Sequence, residues 1–180
     1  LSGSMKVGAT LRARPGRWLG SPRLSYRWLR DGSPISGATG STYKVSKSDV
    51  GSRLAVEVRG SRAVFPVITT TSARTAKVPK VATKVQVRLV RAKVARGAKA
   101  KLVVRVTTPG ISKPRGKIRV TAGGKARTVN LKAKHAGRIT VTLPTLGKGR
   151  HKVKARYTPS GAFAVVVKAR ASKTLRLTVR

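Results

Sequence analysis

The sequence predicts an all-β chain built as two tandem β-sandwich domains, on three observations. Large apolar residues alternate with polar ones at period two through most of the 180 residues, and no stretch carries the period of an amphipathic helix. At Pro79 the alternation breaks and then restarts with no acidic residue beyond it. These place one domain at 1–78, a connection at 79–82 and a second domain at 83–180.

In the first domain the organising stretch runs from Leu24 to Val58. Leu24, Tyr26 and Trp28 alternate with Ser25, Arg27 and Leu29, which sets the large groups on one face of a strand with Trp28 as core anchor. Asp31-Gly32 follows, two residues that tolerate positive φ, so the strand turns there. Leu54, Val56 and Val58 form a second alternating strand to pack on Trp28, and Glu57 between them faces outward toward a cross-strand arginine. Ahead of these, Leu1 to Leu11 reads as a weak first strand and Pro15-Gly16 as a turn. Trp18 lies in a loop rich in Gly, Pro and Arg, where it either caps the sandwich or stands exposed as a binding anchor; the burial habit of large aromatics favours the cap. Asp49, in Ser46-Lys-Ser-Asp-Val-Gly51, sits where an Asp side chain bonds turn amides, so a structural role is expected rather than that of a catalytic acid. Phe65, Val67 and Thr69 to Thr71 read as a final strand ending near Val78.

The second half has the cleanest alternation. Val85, Val87 and Leu89, then Leu102, Val104 and Val106, then Ile118 and Val120 form inward sets. Val129 and Leu131, Ile139 to Leu143, Val153 to Tyr157, and Leu175, Leu177 and Val179 continue them, with Gly123-Gly124 as a hairpin turn. Seven strands at this spacing argue a sandwich.

Both halves resemble known modules. Trp28, Asp31-Gly32, Gly37-Ala-Thr-Gly-Ser-Thr-Tyr43 and Asp49-Val-Gly51 resemble the immunoglobulin-like repeat strung along secreted and surface proteins of actinobacteria, over about Leu1 to Val78. Pro114 to Val120, Gly123-Gly-Lys125, Ile139 to Leu143 and Gly149 to Tyr157 resemble the bacterial immunoglobulin-like repeat of adhesins and of the tails of secreted nucleases, proteases and other hydrolases. The resemblance implies two tandem immunoglobulin-like β-sandwich domains, an extracellular or cell-surface location, and no activity of their own. Thr158-Pro-Ser-Gly161 departs from the Gly-Asp that such repeats carry after the Tyr, and acidic turns are missing throughout. Calcium stiffening therefore does not carry over, since calcium needs several charged oxygen ligands.

Charge decides what chemistry is open to the chain. It holds 42 Lys and Arg against three acids, Asp31, Asp49 and Glu57, for a formal net charge of +39. Residues 1–80 hold 15 of the cations and all three acids, net +12; residues 81–180 hold the other 27 with no acid, net +27. The chain lacks cysteine, so packing alone must stabilise it. No apolar run approaches the ~18 residues of a membrane span, and Leu1-Ser-Gly-Ser-Met-Lys6 has no signal-peptide core; the chain is expected to be a segment of something longer. His135 and His151 belong to no metal-spaced cluster. Gly123-Gly124-Lys125 and Gly147-Lys148-Gly149 lack the spacing of a phosphate loop. A serine nucleophile in the second half would find no acid to orient its base. No enzyme, cofactor, metal or small-molecule substrate is expected, and the chain is expected to be monomeric.

What remains is the basic surface. Lys84, Arg88, Lys101, Arg105, Lys117, Arg119, Lys152, Lys154 and Arg156 alternate with the inward residues and so line the solvent faces of the sheets. Lys on a β-protein also blocks edge-to-edge pairing, but that service leaves the one-sided sign unexplained. An acid-free face suggests an anionic partner: cell-wall polymer, anionic headgroups or nucleic acid. The expected function is a non-catalytic spacer and attachment module of a larger secreted or surface protein, its basic faces on anionic cell-envelope polymer. The alternative is a sequence-independent nucleic-acid-binding accessory module of a secreted nuclease or other hydrolase. Reading of bases is not expected, because Tyr157 and Phe163, the aromatics of this half, read as core residues.

Overall fold

The computed structural model describes all 180 residues, Leu1–Arg180. Strand takes 48% of them and helix 6%, which makes the chain all-β. It divides into two compact units, Leu1–Lys80 and Val81–Arg180.

Unit 1 is an immunoglobulin-like sandwich of six strands: β1 (Thr10–Arg12), β2 (Arg23–Arg30), β3 (Ser33–Pro34), β4 (Thr42–Lys44), β5 (Leu54–Ser61) and β6 (Ile68–Thr71). One sheet pairs β1 with β4 and the other runs β3-β2-β5-β6. Trp28 faces Val56 across β2 and β5, and Trp28, Val56, Leu54, Val58, Leu11 and Val45 form the core as expected, but Leu29, placed by parity on the outward face, is buried opposite the equally buried Ala55. Trp28 is fully buried, its indole N–H donates to Gly40 O at 2.9 Å, and its ring stacks on Tyr43 with centroids 5.4 Å apart. Asp31 (φ 49) and Gly32 (φ 93) form the two-residue turn into β3, with positive φ at both positions. The segment after β6 lies along β5, where Ser72 N–H donates to Val56 O at 2.9 Å and Thr75 N–H to Leu54 O at 2.9 Å. Two expectations need correction. The first strand is only Thr10–Arg12, and Phe65 and Val67 lie exposed in the turn ahead of β6 rather than within a strand. Pro66 between them has no amide hydrogen to join a ladder.

Unit 2 holds β7 (Lys84–Leu89), β8 (Lys93–Val94), β9 (Lys101–Thr107), β10 (Gly116–Ala122), β11 (Lys125–Leu131), β12 (Arg138–Thr142), β13 (Gly149–Pro159), β14 (Arg170–Ala171) and β15 (Leu175–Val179). One sheet is β12-β9-β7; the other is β11-β10-β13-β15-β8, with β14 also on β13. Leu102, Val104, Ile118, Val153, Ala155, Tyr157 and Leu177 fill the space between them. Gly123 (φ 53) and Gly124 (φ 76) make the tight turn between β10 and β11, where Ala122 faces Lys125. Seven of these strands are those read from the alternation; β8 and β14 are two-residue pieces too short to show a period. A five-residue helix, α1 (Ala162–Val166), stands where no helix was expected, since one turn and a half cannot show a 3.6-residue period. Phe163 on it is half-buried against the core, whereas Tyr157 is fully buried and donates its hydroxyl to Arg115 O at 2.8 Å.

Candidate functional site

All nine cations singled out from the sequence are solvent-exposed and lie on strands. The sandwich does not bring them together. Lys84, Arg88, Lys101 and Arg105 lie on the outer face of the β12-β9-β7 sheet, while Lys117, Arg119, Lys152, Lys154 and Arg156 lie on the outer face of the other sheet. Period two says that a residue points outward, but which outward face it joins depends on strand order, which alternation does not encode. Registers sharpen the second face: Arg119 stands opposite Arg156, Thr121 opposite Lys154, and Lys152 opposite Arg176. Arg176 and Arg150, both exposed, extend the set along β13 and β15. On the first face Arg105 stands opposite Arg138. None of the nine pairs with a carboxylate or donates a side-chain hydrogen bond, so their charge is fully available to solvent or to a ligand. Each directly opposed pair of like charges costs about 0.2–1 kcal/mol.

The acids are all engaged in unit 1. Asp49 is fully buried and forms a hub. Arg30 donates to its Oδ1 from Nε at 2.7 Å and from its terminal nitrogen at 2.6 Å; the Ser46 amide (2.6 Å), the Ser46 hydroxyl (2.9 Å) and the Tyr43 hydroxyl (2.9 Å) all donate to Oδ2. Burial alone would raise the Asp49 carboxyl, but the Ser46 amide, Arg30 and the two hydroxyls outweigh it and hold the group below its ordinary value. The turn amide was expected; Arg30 and Tyr43 were missed. Parity carried the signal, because Arg30 follows Leu24, Tyr26 and Trp28 on the inward face, and an arginine there needs a carboxylate. Glu57 pairs with Arg27 at 2.5 Å, its register partner. Asp31 accepts the Arg53 amide at 2.9 Å, which with the Ser52 hydroxyl keeps its carboxyl below the ordinary value.

The histidines also serve local structure. His135 Nδ1 accepts the Lys132 amide at 2.9 Å, and His151 Nε2–H donates to Gly147 O at 2.8 Å. No group of three or more His, Asp or Glu lies together where it could hold a metal ion. No helix is long and apolar enough to cross a membrane.

Trp18 caps unit 1 as the burial argument favoured. It is half-buried, its indole N–H donates to Pro15 O at 3.0 Å, and its ring rests on Gly60, where an added Cβ would come within 2.5 Å of Cζ3. Beside it the loops 17–22 and 62–68 frame a groove of ≈ 570 Å³ with exposed apolar residues at its rim. Sequence reasoning passed over this groove. Its signal was Val64 to Ser72, a charge-free run in a chain one quarter of whose residues are charged.

No protein-family model and no curated protein matches the chain. Among solved structures it is similar to an amphioxus IgVJ-C2 molecule, at 11% identity over 94% of this chain and 94% of that one, with a TM-score of 0.40. It is also similar to an ICAM-5 D1–D4 ectodomain fragment (13% identity, 97% of this chain, TM-score 0.39), of which it spans half the length. Fibronectin(III)-like modules of Clostridium thermocellum CbhA match at 11% identity over 97% of this chain and 87% of that one, with a TM-score of 0.36. At such scores the fold assignment rests on the strand order and core described above.

Proposed function

We propose that the chain is a non-catalytic spacer and attachment module of a larger secreted or surface protein, of the kind actinobacteria carry, held to anionic cell-envelope polymer by the basic faces of unit 2. The observation that supports this is the outer face of the β10-β13-β15 region. Lys117, Arg119, Lys152, Lys154, Arg156 and Arg176 share it with no carboxylate in the unit, and two of their cross-strand pairs set like charge against like. A surface serving solubility alone would relieve those pairs with mixed signs. A rigid row of cations is what a repeating polyanion needs, because each phosphate or carboxylate neutralised releases a counterion. Residues 79–82 are the proposed connection between modules, tested by limited proteolysis; cleavage inside 85–179 that spares this segment would contradict it.

The reading is tested by passing the full chain over wall polyanion, heparin and duplex DNA at rising salt, beside Lys152→Glu/Lys154→Glu/Arg156→Glu. Retention on all three with similar rank, weakened together by the triple reversal, is expected. Absence of retention at moderate salt leaves a plain spacer. Retention of duplex DNA alone, indifferent to its sequence, favours the nucleic-acid accessory module.

A further inference from the structure

The groove end of unit 1 carries a second kind of surface. After β5 the chain turns at Arg62 to Phe65, with the Phe65 amide donating to Arg62 O at 3.3 Å and Val64 at φ 59. That turn position suits Gly or Asn; a β-branched side chain there is strained. Val64 is 100% exposed, so no packing offsets the strain. Leu19, in the facing loop, is likewise 101% exposed, and Phe65 (59%) and Ile68 (62%) stand beside them. Trp18 braces the base, and Arg62 lies over the Phe65 ring at 5.3 Å from its centroid. Arg17 joins Arg62 at the groove.

We propose that this end of unit 1 inserts into an anionic lipid bilayer. Leu19 and Val64 project without neighbours, so they are prongs rather than walls, and a small ligand in the groove would leave them in water. A bilayer takes prongs: the apolar tips enter the acyl boundary while Arg17 and Arg62 stay at the level of the phosphates. Unit 1 alone carries net +12, which repels a second copy and is attracted to an anionic leaflet. This site is separate from the basic faces of unit 2 and stands or falls without them.

The test is co-sedimentation of the full chain with vesicles of one part phosphatidylglycerol to three parts phosphatidylcholine, at high salt to screen the basic faces. The wild-type chain should bind, with a blue shift in tryptophan emission as Trp18 leaves water. Leu19→Ser/Val64→Ser/Phe65→Ser should lose at least tenfold in vesicle affinity while eluting from heparin as wild type does. Val64→Gly, which fits the backbone, should fold at least as stably and still bind several-fold more weakly. Vesicle binding unchanged in both variants overturns the proposal. So does self-association of the wild-type chain that the triple variant abolishes, because the occupant is then a second copy.

Discussion

Unit 1 uses every carboxylate of the chain on its own structure: Asp49 ties Arg30, Tyr43 and Ser46 together, Glu57 neutralises Arg27, and Asp31 holds its turn. Unit 2 has the larger apolar core and no acid, and its cations face solvent unopposed. The two also share a device. In unit 1 the Ser72 hydroxyl accepts the Val56 amide at 3.1 Å and donates to Ala73 O at 3.1 Å; in unit 2 the Ser172 hydroxyl accepts the Ala155 amide at 3.0 Å and donates to Lys173 O at 2.7 Å. Both serines seat a late segment on the central strand. Both units are thus held by apolar packing, to which unit 1 adds a polar hub, while unit 2 does without an acid and leaves its surface cations unpaired.

The sharpest way to break this contrast is Asp49→Ala. It leaves Arg30 without its partner and should cost unit 1 about 3 kcal/mol. Both tryptophans lie in unit 1, so urea unfolding followed by their emission reports that unit alone, and circular dichroism should show the rest of the chain unmoved. Acid makes the same cut without mutation. Because the folded Asp49 carboxyl lies below its unfolded value of ~3.9, its contribution is complete above that value and disappears as pH falls through the folded one. Unit 1 should therefore lose stability on acidification through its carboxylates, a loss that unit 2, with no acidic side chain, does not share. A joint acid transition of both units would end the contrast.

Smaller effects test the shared serine. Ser172→Ala orphans the buried Ala155 amide and should cost about 2 kcal/mol, against about 1 kcal/mol for Ser72→Ala, where Ser72 is less buried. Smallest is Arg119→Glu, which converts the pair with Arg156 from repulsive to attractive. It should stabilise unit 2 by about 0.5 kcal/mol at low salt, fading as salt rises, in thermal melts followed by circular dichroism. Stability unchanged at low salt would mean that the opposed charges already spread apart.

Much of this architecture was legible because period two is a local signal. Trp28, the Asp31-Gly32 and Gly123-Gly124 turns and the long strands of unit 2 all follow from spacing within a few residues. What the spacing could not carry was partnership across the fold. Arg30 meets Asp49 nineteen residues away through a corner, and the nine cations divide between two sheets by strand order. Helix α1 is shorter than its own period, and the apolar end of unit 1 joins two loops that sequence reading treats separately.

The central claim is that, of the two basic faces of unit 2, the β10-β13-β15 face carries most of the polyanion binding. The salt dependence of duplex DNA affinity tests it most directly, in the wild-type chain and in two reversals, Lys152→Glu/Lys154→Glu/Arg156→Glu on one face and Lys84→Glu/Arg88→Glu/Lys101→Glu on the other. Six contacts on the β10-β13-β15 face give a log K against log salt slope of about −5 for the wild type. The first reversal should bring it to about −3 or shallower and the second should leave it near the wild-type value. Equal loss from both reversals, or a slope unmoved by the first, would contradict the account.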